Sequence, residues 1–163
     1  MGIGFARAAV IAAAALAPAA RAAELTTPLR TVSAAGARQA MEAARQAAAR
    51  LHAPCAVAVV DAGGILVLFE RMDGVRPGSP DLAIGKARTA ALLQRPSQEV
   101  EDSTNNGRAA FATAGLLSLR GGVPLVAGGE TVGAVGVASL SKDDDVLIAN
   151  AAAQGFAEGV GKP

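Results

Sequence analysis

From Ser33 to Leu51 small apolar residues return at helical intervals, and Ala37, Ala40, Met41, Ala44, Ala48 and Leu51 fall on one face. Ser33 offers a capping hydroxyl at the start, and Glu42 on the opposite side lies within a turn of Arg38 and Arg45, its expected partners. The period then changes. Cys55 to Asp61 is rich in Val, Asp61-Ala62-Gly63-Gly64 is turn chemistry, and Ile65 to Arg71 is a second β-type run, so the segment predicts a hairpin. Alternation along the second run puts Ile65, Val67, Phe69 and Arg71 on one face and Leu66, Leu68, Glu70 and Met72 on the other.

Ser79-Pro80-Asp81 combines a capping hydroxyl, a proline in the first turn and an acid near the positive helix end. A helix is expected from there to about Arg95, where Pro96 stops it. Ser97 opens another helical piece ending near Asn105-Asn106-Gly107, and a short helical stretch is expected over 108–119. Val123 to Ala127, the Gly128-Gly129 turn and Thr131 to Ser139 predict a second hairpin, in which Gly133 and Gly136 permit close approach of a helix or ligand. Ser141 followed by Asp143, Asp144 and Asp145 caps a last helix to about Phe156, with a frayed tail from Gly159. The three acids read as a solvated helix start, because the spaced ligands and turn glycine of a calcium loop are absent. Two hairpins interleaved with helices predict a single α+β domain in which helices pack on an antiparallel sheet.

A length of 163 residues suits one domain. Arg7, the apolar run from Ala8 to Ala17 and Ala20-Arg21-Ala22 have the form of a cleavable signal peptide over residues 1–22, leaving a domain over 23–163. The run is too short for the roughly 20 residues of a membrane span. The expected mature protein is exported, periplasmic or secreted, and free of the membrane once the leader is removed. Removal takes Arg7 and Arg21 from the fifteen basic residues and leaves the fourteen acidic ones, a formal charge of −1. With no basic face and only Phe69, Phe111 and Phe156 as aromatics in the mature chain, nucleic acid is not an expected partner. Cys55 has no second cysteine to pair with and opens an apolar run, which points to burial.

One histidine, His52, excludes two-histidine zinc motifs and leaves a serine triad a single candidate base. The letters of S-x-x-K at Ser139 to Lys142 fall at a strand end rather than on a helix. What remains is a set of polar residues beside glycines: Asp61, Arg71, Asp73, Lys86, Thr89, Asn106, Arg108, Gly121 and Gly122. They form a candidate pocket for a small ligand.

Six ordered motifs carry a resemblance: Val59-Val-Asp61-Ala-Gly-Gly-Ile-Leu, Arg71-Met-Asp73, Lys86-Ala-Arg-Thr-Ala90, Asn105-Asn-Gly-Arg108, Gly121-Gly-Val-Pro124 and Gly133-Ala-Val-Gly-Val137. In this order the chain resembles the GlcG/HbpS family across residues 25 to 157, and a domain of cobalamin adenosyltransferases is related to it. The resemblance implies a profilin-like fold with a five-stranded antiparallel sheet between helices, assembled as a homo-oligomer. It also implies haem as the ligand, and a sensor kinase as a partner. Arg71, Lys86 and Arg108 would suit haem propionates. The axial ligand is open among His52, Met41, Met72 and the hydroxyls of Thr89, Thr104 and Thr113.

Three alternatives stand beside reversible haem binding. The glycine-lined pocket could hold another small acidic ligand, a carboxylate or aromatic acid, with Lys86 and Arg71 as anchors. It could be an enzyme site with Asp61 or Asp73 as base and Lys86 as electrophile. Lastly, the motifs could specify subunit contacts of an oligomeric accessory protein, with Arg71 or Lys86 pairing Asp61, Asp73 or Asp81 across an interface.

Overall fold

A computed structural model describes residues 27–160; the leader read over 1–22 and the last three residues lie outside them. Helix α1 spans Ala34–Leu51, strands β1 and β2 Ala56–Asp61 and Leu66–Arg71, helices α2 and α3 Ser79–Leu93 and Ser97–Asn105. A 3-10 turn over Ala109–Thr113 follows, then strands β3 and β4 at Gly122–Ala127 and Glu130–Ala138, and helix α4 at Lys142–Val160. The strands form one antiparallel sheet in the order β2-β1-β4-β3. The expected α+β domain is the observed one.

The two faces of the sheet differ because of a simple alternation. Val57, Val59, Val135 and Val137 point to one side and are buried with Ala37, Ala40, Met41 and Ala44 of α1 and Ile148, Ala149, Ala152 and Phe156 of α4. Ala56, Ala58, Val60, Ala134 and Ala138 point to the other, against Ala83, Ala87 and Ala90 of α2. Branched residues thus fill the layer shared by two helices, and small ones let a single helix lie close on the opposite face. The approach is very close at Gly136, where a Cβ would run into the carbonyl of Ala83 and the Cβ of Ala87. Helices α1 and α4 also meet through small residues: a Cβ on Gly155 would overlap that of Ala43, and Gln39 Nε2 donates to Gly155 O at 2.7 Å.

Several expectations change. Four strands, not five, form the sheet among the described residues. Beyond Asp61, the last β1 residue paired with β4, the chain before α1 runs beside β4 but contributes one backbone bond, from Val32 N–H to Val132 O at 2.7 Å. Ser33 caps α1 as expected, accepting from Gly36 N–H at 3.1 Å. Ser79 instead lies inside α2 behind Gly78, and its buried hydroxyl has no partner among the described residues. Glu42 accepts from Gln46 at 3.0 Å, while Arg45 turns to Glu70 at 3.6 Å. Leu51 is 39% exposed, because the chain leaves the helix at His52 before that turn reaches the core. Only residues 109–113 of the expected 108–119 helix are helical, and α4 runs past Phe156 to Val160, including part of the expected frayed tail.

Candidate functional site

The polar centre of the molecule is a buried ion pair. Lys86 on α2 reaches across the end of β4 and donates to Val137 O at 2.8 Å and to Asp145 Oδ2 at 2.6 Å. Asp145 closes the first turn of α4, and its other oxygen accepts from Ser139 N–H at 2.6 Å. Both residues are 4% exposed. A buried charge needs a partner and hydrogen bonds for its remaining lone pairs, and both are present here.

Asp145 is therefore not part of a solvated helix start. Its face of α4 carries Ile148, Ala149, Ala152 and Phe156, all buried. Helical spacing from those residues back to Asp145 was the sequence signal for its burial. Nor does Lys86 require a second subunit to find its acid, as the interface alternative supposed.

Gly121 and Gly122 close over this pair. Gly121 has φ +104°, a conformation that favours glycine, and a Cβ there would lie 2.8 Å from Asp145 Cβ and 3.2 Å from Lys86 Nζ. A Cβ on Gly122 would overlap the Lys86 carbonyl. The Gly122 N–H donates at 2.9 Å to the Ser97 hydroxyl, which itself donates to Leu119 O at 2.7 Å. Thr89, one turn along α2 from Lys86, is fully buried and both donates to and accepts from the Leu117 backbone.

An open cavity of about 190 Å³ lies over the pair. Lys86 and Asp145 form its floor. Arg76, Arg120 and Lys142 bring further cations, and Leu82, Leu119 and Leu140 bring apolar surface. Arg76 donates to Ser139 O at 3.1 Å. Arg120 is held between Glu101 and Asp102, and its hydrogen bond to Glu101 raises its affinity for the proton further.

The structure thus brings Lys86, Gly121 and Gly122 together, with Thr89 behind them. Arg71, Asp73, Asn106 and Arg108 are exposed and do not line this cavity. Arg71 ends β2 and Asp73 lies in the turn after it. Asn106 ends α3, and the Arg108 guanidinium stacks 4.8 Å from the Phe111 ring centre. Asp61 is a turn former, accepting from Gly63 and Ile65 N–H at 2.9 and 2.8 Å. It pairs with Gly133, four residues along β4 from the Lys86 acceptor Val137, roughly 13 Å away. That separation keeps Asp61 and Lys86 from acting on one small substrate.

His52 lies elsewhere. It ends α1 in the left-handed conformation at φ +51°, which projects an exposed imidazole beside a groove of about 470 Å³. Ala48, Ala49, Ala53, Pro54 and Met72 form apolar walls, and Arg45 and Glu70 are its charged residues. Met41 is 5% exposed in the core. The Met72 sulfur accepts from Cys55 N–H at 3.5 Å. Thr104 and Thr113 donate to carbonyls in their own helical turns. Of the residues considered as axial ligands, His52 is the one presented freely at a groove.

Residues 32–154 match the family described as haem degrading protein HbpS-like. Protein GlcG of Escherichia coli (strain K12) is 51% identical over 82 residues, 50% of this chain. That match covers 61% of GlcG, so the chain spans less than two thirds of this relative's length. Among solved structures, a double mutant of Streptomyces reticuli HbpS is similar at TM-score 0.74 and 36% identity, covering 87% of this chain and 97% of that one. PduOC in complex with haem is similar at TM-score 0.70 and 27% identity, with 77% and 94% covered.

Proposed function

The chain belongs to the haem degrading protein HbpS-like family, and on that footing we propose that it binds haem in the groove beside His52. The carrying observation is the meeting of the chain's one imidazole with a roomy groove of small apolar side chains. The residues fit the group: His52 offers a nitrogen to iron, and the Ala48, Ala49, Ala53 and Pro54 walls exclude water from an apolar ring. Arg45, 3.6 Å from Glu70, is half-exposed and free to swing its guanidinium to a propionate. Bound haem supplies an iron centre able to change redox state. The protein's part is to hold and orient it.

Titration of haem into the protein tests this reading. A saturable Soret band at one haem per subunit is expected, with its position shifted in His52→Ala and affinity weakened in Arg45→Ala. A spectrum that drifts without saturating, identical in all three proteins, would overturn it. Loss of the Soret band after addition of peroxide would mark degradation rather than reversible binding.

The same reading extends to an exported, self-associating protein that sequesters haem or passes its presence to a sensor partner. The Arg7 to Ala22 pattern supports export. Amino-terminal sequencing of the exported protein should start near Ala23, and a chain retaining Met1 would remove the leader from the proposal.

A further inference from the structure

We propose a second binding site, separate from the haem groove, that takes a small organic dicarboxylate in the cavity over Lys86 and Asp145. Four cationic side chains line it, Arg76, Lys86, Arg120 and Lys142, against two acids, Glu101 and Asp145. Lys86 is paired with Asp145 and Arg120 with Glu101 and Asp102, while Arg76 and Lys142 have no carboxylate partner among the described residues, which leaves two cations for the two carboxylates of a ligand. Lys86 commits two of its three N–H donors, to Val137 O and Asp145, and so retains one at the cavity floor. That donor is held rigidly: the side chain is 5% exposed and pinned from two sides.

Above the floor the cations differ in freedom. Arg120 is fixed by Glu101 and Asp102, and Arg76 keeps most of its guanidinium fork after the single bond to Ser139 O. A planar fork matches the two oxygens of a carboxylate. Lys142 opens α4, where Ser141 accepts from the Asp144 and Asp145 N–H groups and those of Lys142 and Asp143 have no partner among the described residues.

Size and lining select the ligand class. An open cavity of about 190 Å³, smaller than the roughly 300 Å³ or more typical of drug-sized ligands, suits a short diacid of about two to four carbons. Leu82, Leu119, Ala138 and Leu140 give a carbon backbone something to contact, which inorganic phosphate would leave unused. His52 and the apolar walls of its groove do not line this cavity, but the two are neighbours: a hollow of about 130 Å³ joins His52, Ala53 and Pro54 to Ser139 and Leu140 of the cavity rim.

Calorimetric titration of the full chain with succinate, acetate and inorganic phosphate tests the site. Succinate should bind saturably at one per subunit, and roughly tenfold or more tighter than acetate or phosphate. Arg76→Ala and Lys142→Ala alter exposed side chains and should each weaken succinate about tenfold, while His52→Ala leaves it unchanged. Heat signals too weak to saturate, or equal affinity in the parent and both cation variants, would overturn the proposal. So would phosphate binding as tightly as succinate. Haem is read by its Soret band and succinate by heat, and Arg76 and Lys142 do not line the His52 groove, so failure of one site is distinguishable from failure of the other.

Discussion

Lys86 and Asp145 show how much a single contact can carry. Removing one partner leaves the other charge buried without compensation, so Lys86→Met should cost about 3–5 kcal/mol in a urea unfolding curve. The double change Lys86→Met with Asp145→Leu should recover part of that loss; the Ser139 N–H would remain unpaired. Equal stability of the single variant and the parent would mean that water reaches the pair. Cys55 supplies a second test. Burial, with the Asp145 and Glu70 charges adding to it, pushes its thiol from 9.0 up to about 12. The unfolded chain loses this proton near the ordinary value and the folded chain does not, so stability falls as pH rises from about 9 to about 12. Cys55→Ala should show a shallower alkaline decline in the urea midpoint, and the parent thiol should resist a thiol-directed reagent at about pH 8 until the chain unfolds.

Each helix is tied to its neighbours by a different device. The Ser33 cap is exposed and local, so Ser33→Ala should lower stability by about 1 kcal/mol with the fold intact. The contact of α2 with β4 at Gly136 is long-range and unforgiving. Gly136→Ala should cost about 1–3 kcal/mol, read as a lowered melting temperature, because the helix backbone must lift off the sheet to admit one methyl group. A neutral result would show that α2 slides to accommodate it. Strand β2 is the least well covered strand: Leu66 and Val67 are 45% and 36% exposed on this edge strand, and Ile65 just before it is 65% exposed. Such an edge invites pairing with another copy.

For the molecule as a whole, layer order governs where chemistry is available. Two helices cover the Val face of the sheet and one covers the Ala and Gly face, and polar side chains from both layers meet beyond the strand ends. If the β2 edge serves self-association, Val67→Lys should lower the sedimentation coefficient of concentrated protein without changing its far-ultraviolet spectrum. Unchanged sedimentation would move the contact to another face.

Local pattern was sufficient for most elements, though not for the stretch 108–119, of which only Ala109–Thr113 is helical. Helical spacing marked α1, turn residues marked both hairpins, and Ser141 marked the start of α4, because these features depend on neighbours a few residues away. Lys86, Gly121 and Gly122 stood out beforehand as polar or glycine positions, yet what they surround did not. Asp145 was hidden in a run of three acids whose burial depends on which face of α4 meets the sheet. Arg76 and Arg120 carried no motif at all, and Arg71 and Arg108 had equal standing on charge alone. Only the folding of α2, α4 and the loop before β3 onto one sheet end sorts these cations into lining and solvent. Sequence spacing describes one element at a time, whereas a buried ion pair 59 residues apart exists only where two elements pack.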